Sequence, residues 1–168
     1  MAVNNESEMR MSNIGLMNAE NGFDIVIVCT SDVSQETYWQ SRLEATRGQI
    51  MPESSVVLAV YEDWVGGAGN GLGTLYAVEK AIQKATAMGV DLMSELSGGA
   101  SVALFHTAGK GTRLAPLPGS ELNNKPGVKL PSIVMVDGQA QQLTILEAVI
   151  RQTGIYAKSR AGRFVVLL

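Results

Sequence analysis

The chain has 168 residues, a formal net charge of −3, 46% hydrophobic residues and a single cysteine. This length and apolar content support one folded domain with a core, and the acidic balance argues against a general nucleic-acid-binding surface. One cysteine excludes a disulfide framework, which fits a reducing compartment, and no run approaches the roughly 20 apolar residues of a membrane span. The polar amino terminus lacks the apolar centre of a signal peptide. We therefore predict a cytoplasmic protein that binds neither nucleic acid nor membrane.

Residues 1–22 are polar and rich in methionine, without a regular hydrophobic period. We interpret them as a flexible amino-terminal arm with a short helix near residues 9–17. The folded part of the chain then begins at residue 23.

Short apolar runs after this arm predict strands. The runs that predict buried strands are residues 24–30, 55–61, 102–106 and 163–168. Residues 132–136 predict a further strand, and Asp137 with Gly138 is a typical tight-turn signal that would begin a hairpin.

Segments with helical signals separate these strands. Asp32 is a cap signal for a helix that continues to Arg47, and Gly48 is a natural stop. The inward side chains predicted for this helix are Tyr38, Trp39 and Leu43. A second helix is expected to begin at Thr74 as its cap and to end near Gly89. Its apolar positions at helical spacing are Leu75, Val78, Ile82 and Ala85. The apolar residues that predict a third helix, closed near Gly154, are Leu143, Leu146, Val149 and Ile150.

Apolar strands that alternate with amphipathic helices predict an α/β fold, a Rossmann-like mixed and mostly parallel sheet flanked by helices. Ligands of such sheets bind at the carboxyl ends of the strands. Because the sequence stops inside an apolar strand, we expect it to be the amino-terminal portion of a longer protein. The alternative is a complete chain whose last strand lies in the sheet.

The most distinctive stretch follows the strand at 102–106. It is rich in glycine, and it contains four cations against one acid, Glu121. The four cations are Lys110, Arg113, Lys125 and Lys129. A basic, glycine-rich loop on an acidic protein predicts a bound anion, most simply a phosphate.

Two common phosphate motifs are excluded by their spacing. A Walker A loop built on Gly109-Lys110 would need glycine at Leu104 and a hydroxyl residue at Gly111. A dinucleotide fingerprint that starts at Gly67 or Gly69 meets Leu72 or Thr74 where its third glycine should stand. A Rossmann dehydrogenase is therefore disfavoured.

What remains is a strand that runs into A-G-x-G-T-R-L, followed by N-K-P and L-P, over residues 106–131. This pattern resembles the signature of the sugar-phosphate nucleotidylyltransferases, or nucleotide-sugar pyrophosphorylases, near the UDP-sugar pyrophosphorylase and fucose-1-phosphate guanylyltransferase branches. Residues 66–77 are similar to a glycine-rich segment of the latter branch. The departures are Lys110, where that branch often has glycine, and a longer insertion at residues 116–123.

The resemblance implies that residues 23–168 are the amino-terminal part of a nucleotidyltransferase catalytic domain. It implies that a sugar 1-phosphate attacks a nucleoside triphosphate and that pyrophosphate leaves, with Arg113 and Lys125 as the catalytic cations. The expected nucleotide-binding residues are Gly109, Lys110, Gly111, Thr112, Gly67 and Gly69. Glycines there would let backbone N–H groups approach phosphate closely.

The resemblance also implies Mg²⁺, held in that family by an aspartate after a later strand. The strand at the end of this sequence is the candidate, so the metal ligand is expected outside it. Asp137 and Glu147 are available acids, but neither stands in the expected place. Guanine with fucose and uracil with glucose or a related hexose are the open choices of base and sugar. A non-catalytic nucleotide-binding or regulatory module and an assembly domain are the alternatives to an enzyme.

Overall fold

The computed structural model describes residues 2–16, 20–64, 68–108 and 124–167. The strands are β1 (Ile25–Thr30), β2 (Val56–Tyr61), β3 (Val102–His106), β4 (Lys129–Val136), β5 (Gln139–Thr144) and β6 (Phe164–Leu167). The α-helices are α1 (Ala2–Leu16), α2 (Val33–Ala45), α3 (Gly69–Ala87), α4 (Leu92–Ser97) and α5 (Ile145–Thr153). Two 3-10 segments accompany them, Lys125–Gly127 and Gly154–Arg160.

The described strands form a four-stranded parallel sheet in the order β2-β1-β3-β6 and a separate antiparallel pair of β4 with β5. The predicted α/β fold with a mostly parallel sheet flanked by helices is confirmed. The chain goes from β1 outward to β2, and then crosses back over β1 to reach β3. The direction of winding therefore reverses between β1 and β3.

Two apolar layers enclose the sheet. Alternate residues of β1 face opposite sides, so that Val26 and Val28 pack with Trp39 and Leu43 of α2. Leu146 and Ile150 of α5 complete the same cluster. The residues of β1 that face the other side are Ile25, Ile27 and Cys29, and they pack against α3 and α4. The helix residues of this second layer are Ala77, Ala81, Ala85 and Leu92. The prediction that β1 is buried on both faces is confirmed.

The amino ends of the central strands are joined by side chains. Ser101 donates to the Asp24 carboxylate from both its backbone N and its Oγ, each at 2.7 Å. On the other side of β1, Ser55 Oγ donates to the carbonyl of Phe23 at 2.8 Å. Ser55 and Ser101 are buried, so these bonds fix the start of β1 against both of its neighbours.

The last strand differs from its prediction as a buried strand. β6 pairs with β3 on one side and lies at the edge of the described sheet. Its side chains are only partly covered, and Val166 is 38% exposed. An apolar run alone does not distinguish a central strand from an edge strand, because both need one apolar face.

Helix α2 begins where the cap signal predicts. The Asp32 carboxylate accepts a hydrogen bond from the backbone N of Gln35 at 2.9 Å, and the helix ends at Ala45 before Gly48, whose φ is 74°. Trp39 is buried as predicted, together with Leu43. Tyr38 is 42% exposed, so its predicted inward position is wrong. It follows that the inward stripe of α2 is narrower than expected.

The start of α3 is also a correction. The helix begins at Gly69, five residues before Thr74, so Thr74 lies inside the helix and does not cap it. Leu75 is 69% exposed and does not belong to the inward face. Glycine disfavours helix interiors by up to about 1 kcal/mol relative to alanine. The absence of a side chain at Gly73 nevertheless lets α3 lie close to Glu62 at the end of β2.

Helix α4 had no counterpart in the sequence prediction. Asp91 caps it by accepting from the backbone N of Ser94 at 3.0 Å, and Leu92 anchors it in the core. The helix has six residues, so its periodic signal is weak.

The hairpin and the helix that follows it agree with the prediction, except that Leu143, predicted as a helix residue, lies in β5 before the helix cap Thr144. Asp137 and Gly138 have φ values of 50° and 77°, which is the left-handed conformation that a tight hairpin turn requires. Helix α5 starts with a capping box between Thr144 and Glu147, and it ends at Thr153 before Gly154.

The amino-terminal segment forms a longer helix than predicted. α1 covers Ala2–Leu16, and its described side chains at residues 6–12 are exposed. The ordered core has begun by Gly22, since a Cβ there would lie 2.4 Å from Cδ of Pro52. Whether residues 1–22 act as a flexible arm stays a prediction.

Candidate functional site

Strand alternation brings three reactive side chains to one face of the sheet. Cys29 continues the α3-facing row of β1, and His106 continues the corresponding row of β3. Glu62 follows β2 and lies two positions after Val60, which is the partner of Cys29 in the β1–β2 register. All three lie at the carboxyl edge of the sheet, beneath the first turns of α3.

The three side chains form a compact cluster. One ligand atom from each lies within 4.8 Å of the others. Cys29 Sγ donates to Glu62 Oε1 at 3.8 Å, and Thr74 Oγ1 lies at hydrogen-bond distance, 2.8 Å, from His106 Nε2. Cys29 is buried, whereas Glu62 and His106 are partly exposed. The sulfur is therefore at the bottom of the cluster, and the oxygen and nitrogen are nearer to solvent.

Burial keeps the cysteine and the histidine neutral. Burial, with the charge and hydrogen bond of Glu62, raises the pKa of Cys29 to about 12, although Lys80 acts in the opposite direction. Burial lowers the pKa of His106, and the nearby Glu62 carboxylate opposes this only in part. The Cys29 thiol is therefore not poised as a nucleophile at neutral pH.

Gly73 makes the approach of α3 possible. A Cβ on Gly73 would lie 2.4 Å from Glu62 Oε1 and 3.6 Å from His106 Cε1. Any larger residue would displace the Glu62 carboxylate. Gly73 and Thr74 thus set the positions of the two partly exposed members of the cluster.

A second charged group adjoins the cluster on the outer side of β2. Lys80 Nζ donates to Asp63 Oδ2 and to the carbonyl of Tyr61, both at 3.0 Å, and it stands 4.0 Å from the centre of the Tyr61 ring. Tyr76 donates a short hydrogen bond to Asp63 Oδ1. The Tyr76 hydrogen bond, with that of Lys80, lowers the pKa of Asp63. Trp64 stacks edge-on against Tyr76 and remains half exposed.

Most of the predicted site residues are not among the described ones. Those outside the described ranges are Gly67, Gly109, Lys110, Gly111, Thr112 and Arg113. Lys125 begins the 3-10 turn Lys125–Gly127 and is exposed, while Pro126 is buried. Gly69 is the first residue of α3, has a φ of 70°, and would have open space around a Cβ.

Neither Glu147 nor Asp137, the two acids considered from the sequence, is placed as a Mg²⁺ ligand. Glu147 is fully buried and is bonded to Arg42 and Thr144, so it has no oxygen free for a cation. Asp137 stands in the exposed hairpin turn. Among the described residues, one group of three candidate ligands is found, and it includes the Cys29 sulfur, whereas Mg²⁺ prefers oxygen.

A cavity of about 670 Å³ lies at the opposite edge of the sheet. It is lined by residues at the amino ends of β1 and β2 and by the end of α4, including Asp24, Ser54, Glu95 and Gly99. Its charged side chains are acids, which disfavours a phosphate. We place the candidate site at the carboxyl edge, where open α/β sheets bind their ligands.

Sequence reasoning assigned none of Cys29, Glu62 and His106 to the site, and Glu62 was not considered at all. The signal was present, because Leu58, Val60 and Glu62 share one parity along β2. The sequence does not show that β1 pairs with both β2 and β3. Without that pairing, it could not be inferred that Glu62 lies beside Cys29 and His106.

Comparisons with protein-family models, with curated proteins and with solved structures found no match to this chain. In the described parts of the chain, no helix combines the length and apolar character needed to cross a membrane.

Proposed function

We propose that the protein is a nucleotidylyltransferase that forms a nucleotide-sugar and pyrophosphate from a nucleoside triphosphate and a sugar 1-phosphate. One observation carries the proposal. The strand that leads into the motif at residues 106–131 is β3. The winding of the sheet reverses between β1 and β3. In open α/β sheets, ligands bind in the crevice at this point, outside the carboxyl ends of the strands.

The start of α3 supports the same location. This 19-residue helix begins near that edge, and Ala68, the residue before it, provides no side-chain cap. The first backbone N–H groups of a helix have no partner within the helix, and they favour anions such as phosphate. The open space around Gly69 and Gly71 leaves the backbone accessible there. Gly69 was one of the residues expected to contact the nucleotide.

In the proposed reaction, an oxygen of the sugar 1-phosphate attacks the α-phosphorus of the triphosphate. The bond from the α-phosphorus to the bridging oxygen breaks, and pyrophosphate leaves with the electron pair. Little acid–base help is needed, so the protein contributes alignment and neutralisation of charge. We assign Arg113 to the oxygens of the leaving pyrophosphate, for which its planar fork is suited. Lys125 is assigned to the α-phosphate or the sugar phosphate.

The test is a pyrophosphate-release assay with glucose 1-phosphate and fucose 1-phosphate, each offered with UTP and with GTP. Arg113→Ala and Lys125→Ala are expected to lower turnover at least about 100-fold, as the loss of a preorganised charge contact does. Arg160→Ala and Lys158→Ala are the matched controls, since both are exposed cations of the Gly154–Arg160 segment. Equal rates in the site and control variants would refute the assignment.

Triphosphate binding measured beside turnover separates the other candidate functions. Binding without pyrophosphate release would favour a non-catalytic nucleotide-binding module. Failure to bind any of the nucleotides would favour an assembly domain. The preferred pair of nucleotide and sugar would identify the base and the sugar.

A further inference from the structure

The cluster of Cys29, Glu62 and His106 has a composition that the proposed reaction does not use. It offers one sulfur, one carboxylate oxygen and one imidazole nitrogen, all within 4.8 Å of one another. We propose that these three side chains bind a borderline-soft divalent cation, specifically Zn²⁺. This proposal does not depend on the nucleotidylyltransferase function.

The donor set and the spacing favour Zn²⁺. Zinc binds thiolate, imidazole and carboxylate at about 2.0–2.3 Å, which puts the ligand atoms of a tetrahedral ion roughly 3.5 Å apart. The observed limit of 4.8 Å therefore needs a contraction of at most about 1.3 Å. A sulfur ligand selects against Mg²⁺ and Ca²⁺, which take oxygen. Three protein ligands leave a fourth position that water or another ligand can occupy.

The surroundings hold the ligands in place. Cys29 and His106 are paired residues of neighbouring central strands, so their backbones cannot separate without breaking the sheet. Thr74 contacts the His106 ring, and Gly73 lets the Glu62 carboxylate stay beneath α3. Contacts of this kind orient metal ligands and typically change affinity by about 10–100-fold.

Metal binding must be coupled to the loss of a proton. Without metal, Cys29 Sγ donates a hydrogen bond to Glu62 Oε1 and therefore carries its proton. The ion replaces the thiol proton, which leaves to solvent, while the imidazole binds without losing a proton. The charged groups that act on this thiol are Glu62 and Lys80.

The single cysteine and the single histidine of the chain make the test unambiguous. Co²⁺ is added to the metal-free protein, and the thiolate-to-cobalt charge-transfer absorption is recorded. We expect one band, which Zn²⁺ abolishes and Mg²⁺ does not. Calorimetry is expected to give one Zn²⁺ per chain and the release of about one proton. Absence of the cobalt band would overturn the proposal.

Variants locate the ion. Cys29→Ser should abolish the cobalt band, and Glu62→Gln and His106→Asn should each weaken Zn²⁺ binding by about tenfold or more. Asp63→Asn is the matched control, because it removes the neighbouring carboxylate outside the cluster and should leave the affinity unchanged. Circular dichroism checks folding, and if Cys29→Ser does not fold, the comparison of Glu62→Gln with Asp63→Asn decides. Equal affinity in these two variants, or Zn²⁺ binding that survives Cys29→Ser in folded protein, would place the ion elsewhere.

Discussion

Arg42 and Glu147 form a buried ion pair between residues that are 105 positions apart in the sequence. Arg42 Nε donates to Glu147 Oε1 at 2.7 Å, and Nη2 donates to Oε2 at 3.0 Å. Glu147 Oε2 also accepts from the backbone N and Oγ1 of Thr144, at 2.7 and 2.8 Å. The two charged side chains are 6% and 0% exposed. One carboxylate therefore starts α5 and holds it against α2.

Removing this charge should destabilise the fold strongly. Glu147→Gln leaves the Arg42 guanidinium buried without a counter-charge, and we expect the free energy of unfolding to fall by about 3–5 kcal/mol in urea denaturation. The control is Glu95→Gln at an exposed site, which should change it by less than about 0.5 kcal/mol. Similar losses in the two variants would show that the pair contributes little.

The pKa of His106 should respond to its neighbour Glu62. Burial lowers the pKa of this histidine below its ordinary value of 6.5, and Glu62 raises it. Glu62→Gln is therefore expected to lower the pKa further, and Asp63→Asn should not. Because the chain has one histidine, a single imidazole resonance in a proton NMR titration reports it. A pKa that rises in Glu62→Gln would contradict the geometry of the cluster.

The same shift has a consequence for stability. In the unfolded chain the histidine protonates near pH 6.5, whereas in the folded protein it does so at a lower pH. Between these two pKa values the unfolded state binds more protons, so the free energy of unfolding falls as the pH falls through 6.5. His106→Asn should weaken this dependence, as measured by urea denaturation across that interval. An unchanged slope would assign the pH dependence to other groups.

Gly73 and Gly71 should respond in opposite ways to alanine. A Cβ at Gly71 meets nothing within 4 Å, so Gly71→Ala should stabilise the protein by up to about 1 kcal/mol through helix propensity. At Gly73 the same change displaces the Glu62 carboxylate, so we expect no gain or a loss. Thermal unfolding compares the two, and the His106 resonance should shift only in Gly73→Ala. Equal stabilisation would mean that Glu62 moves aside freely.

Cys29 should resist alkylation in the folded protein. Its side chain is fully buried, and its pKa is raised to about 12, so little thiolate is present or accessible near neutral pH. Labelling with iodoacetamide should therefore be slow in buffer and fast in urea.

Above pH 9.0 the unfolded thiol ionises first, so stability should decline as the pH rises from 9.0 towards 12. Cys29→Ala should reduce that decline, and rapid labelling without denaturant would refute the buried position.

The turn of the β4–β5 hairpin should depend on its left-handed residues. Gly138 has a φ of 77°, so Gly138→Ala should cost about 1–2 kcal/mol in the free energy of unfolding. Asp137→Asn is the tolerated counterpart, because asparagine also adopts this conformation readily. Urea denaturation of both variants checks the expectation, and equal losses would show that turn conformation does not decide the stability.

The positions of β1, β2, β3 and β6 were predictable because each is a short apolar run. β5 is mostly polar and carries no such signal. The fold class followed from the alternation of the apolar runs with helices. Strand order did not, since nothing in β1 indicates that β2 and β3 are both its neighbours. The Arg42–Glu147 pair was unpredictable for the same reason, as no local pattern joins residues so far apart.

Two local errors have a physical explanation. The helix was predicted to begin at Thr74, yet α3 begins at Gly69, and close packing against Glu62 permits only a residue without a side chain at Gly73. Tyr38 was predicted to face inward with Trp39 and Leu43, but its ring stacks edge-on with Trp39 and stays partly exposed. The motif residues Gly109, Lys110, Gly111, Thr112 and Arg113 lie outside the described ranges, so their roles stay predictions.

The bonds of Asp24 with Ser101 at the amino ends of β1 and β3 fix the register of the central strands at the edge opposite the candidate site. We therefore expect that loops at the carboxyl edge can be exchanged or lengthened without shifting the strands beneath them. The side-chain bonds that join the strands and the candidate site therefore lie at opposite ends of the same strands. Loop grafting at the carboxyl edge should thus be tolerated. Asp24→Ala, which removes the bonds to Ser101, should make the fold less tolerant of such grafts.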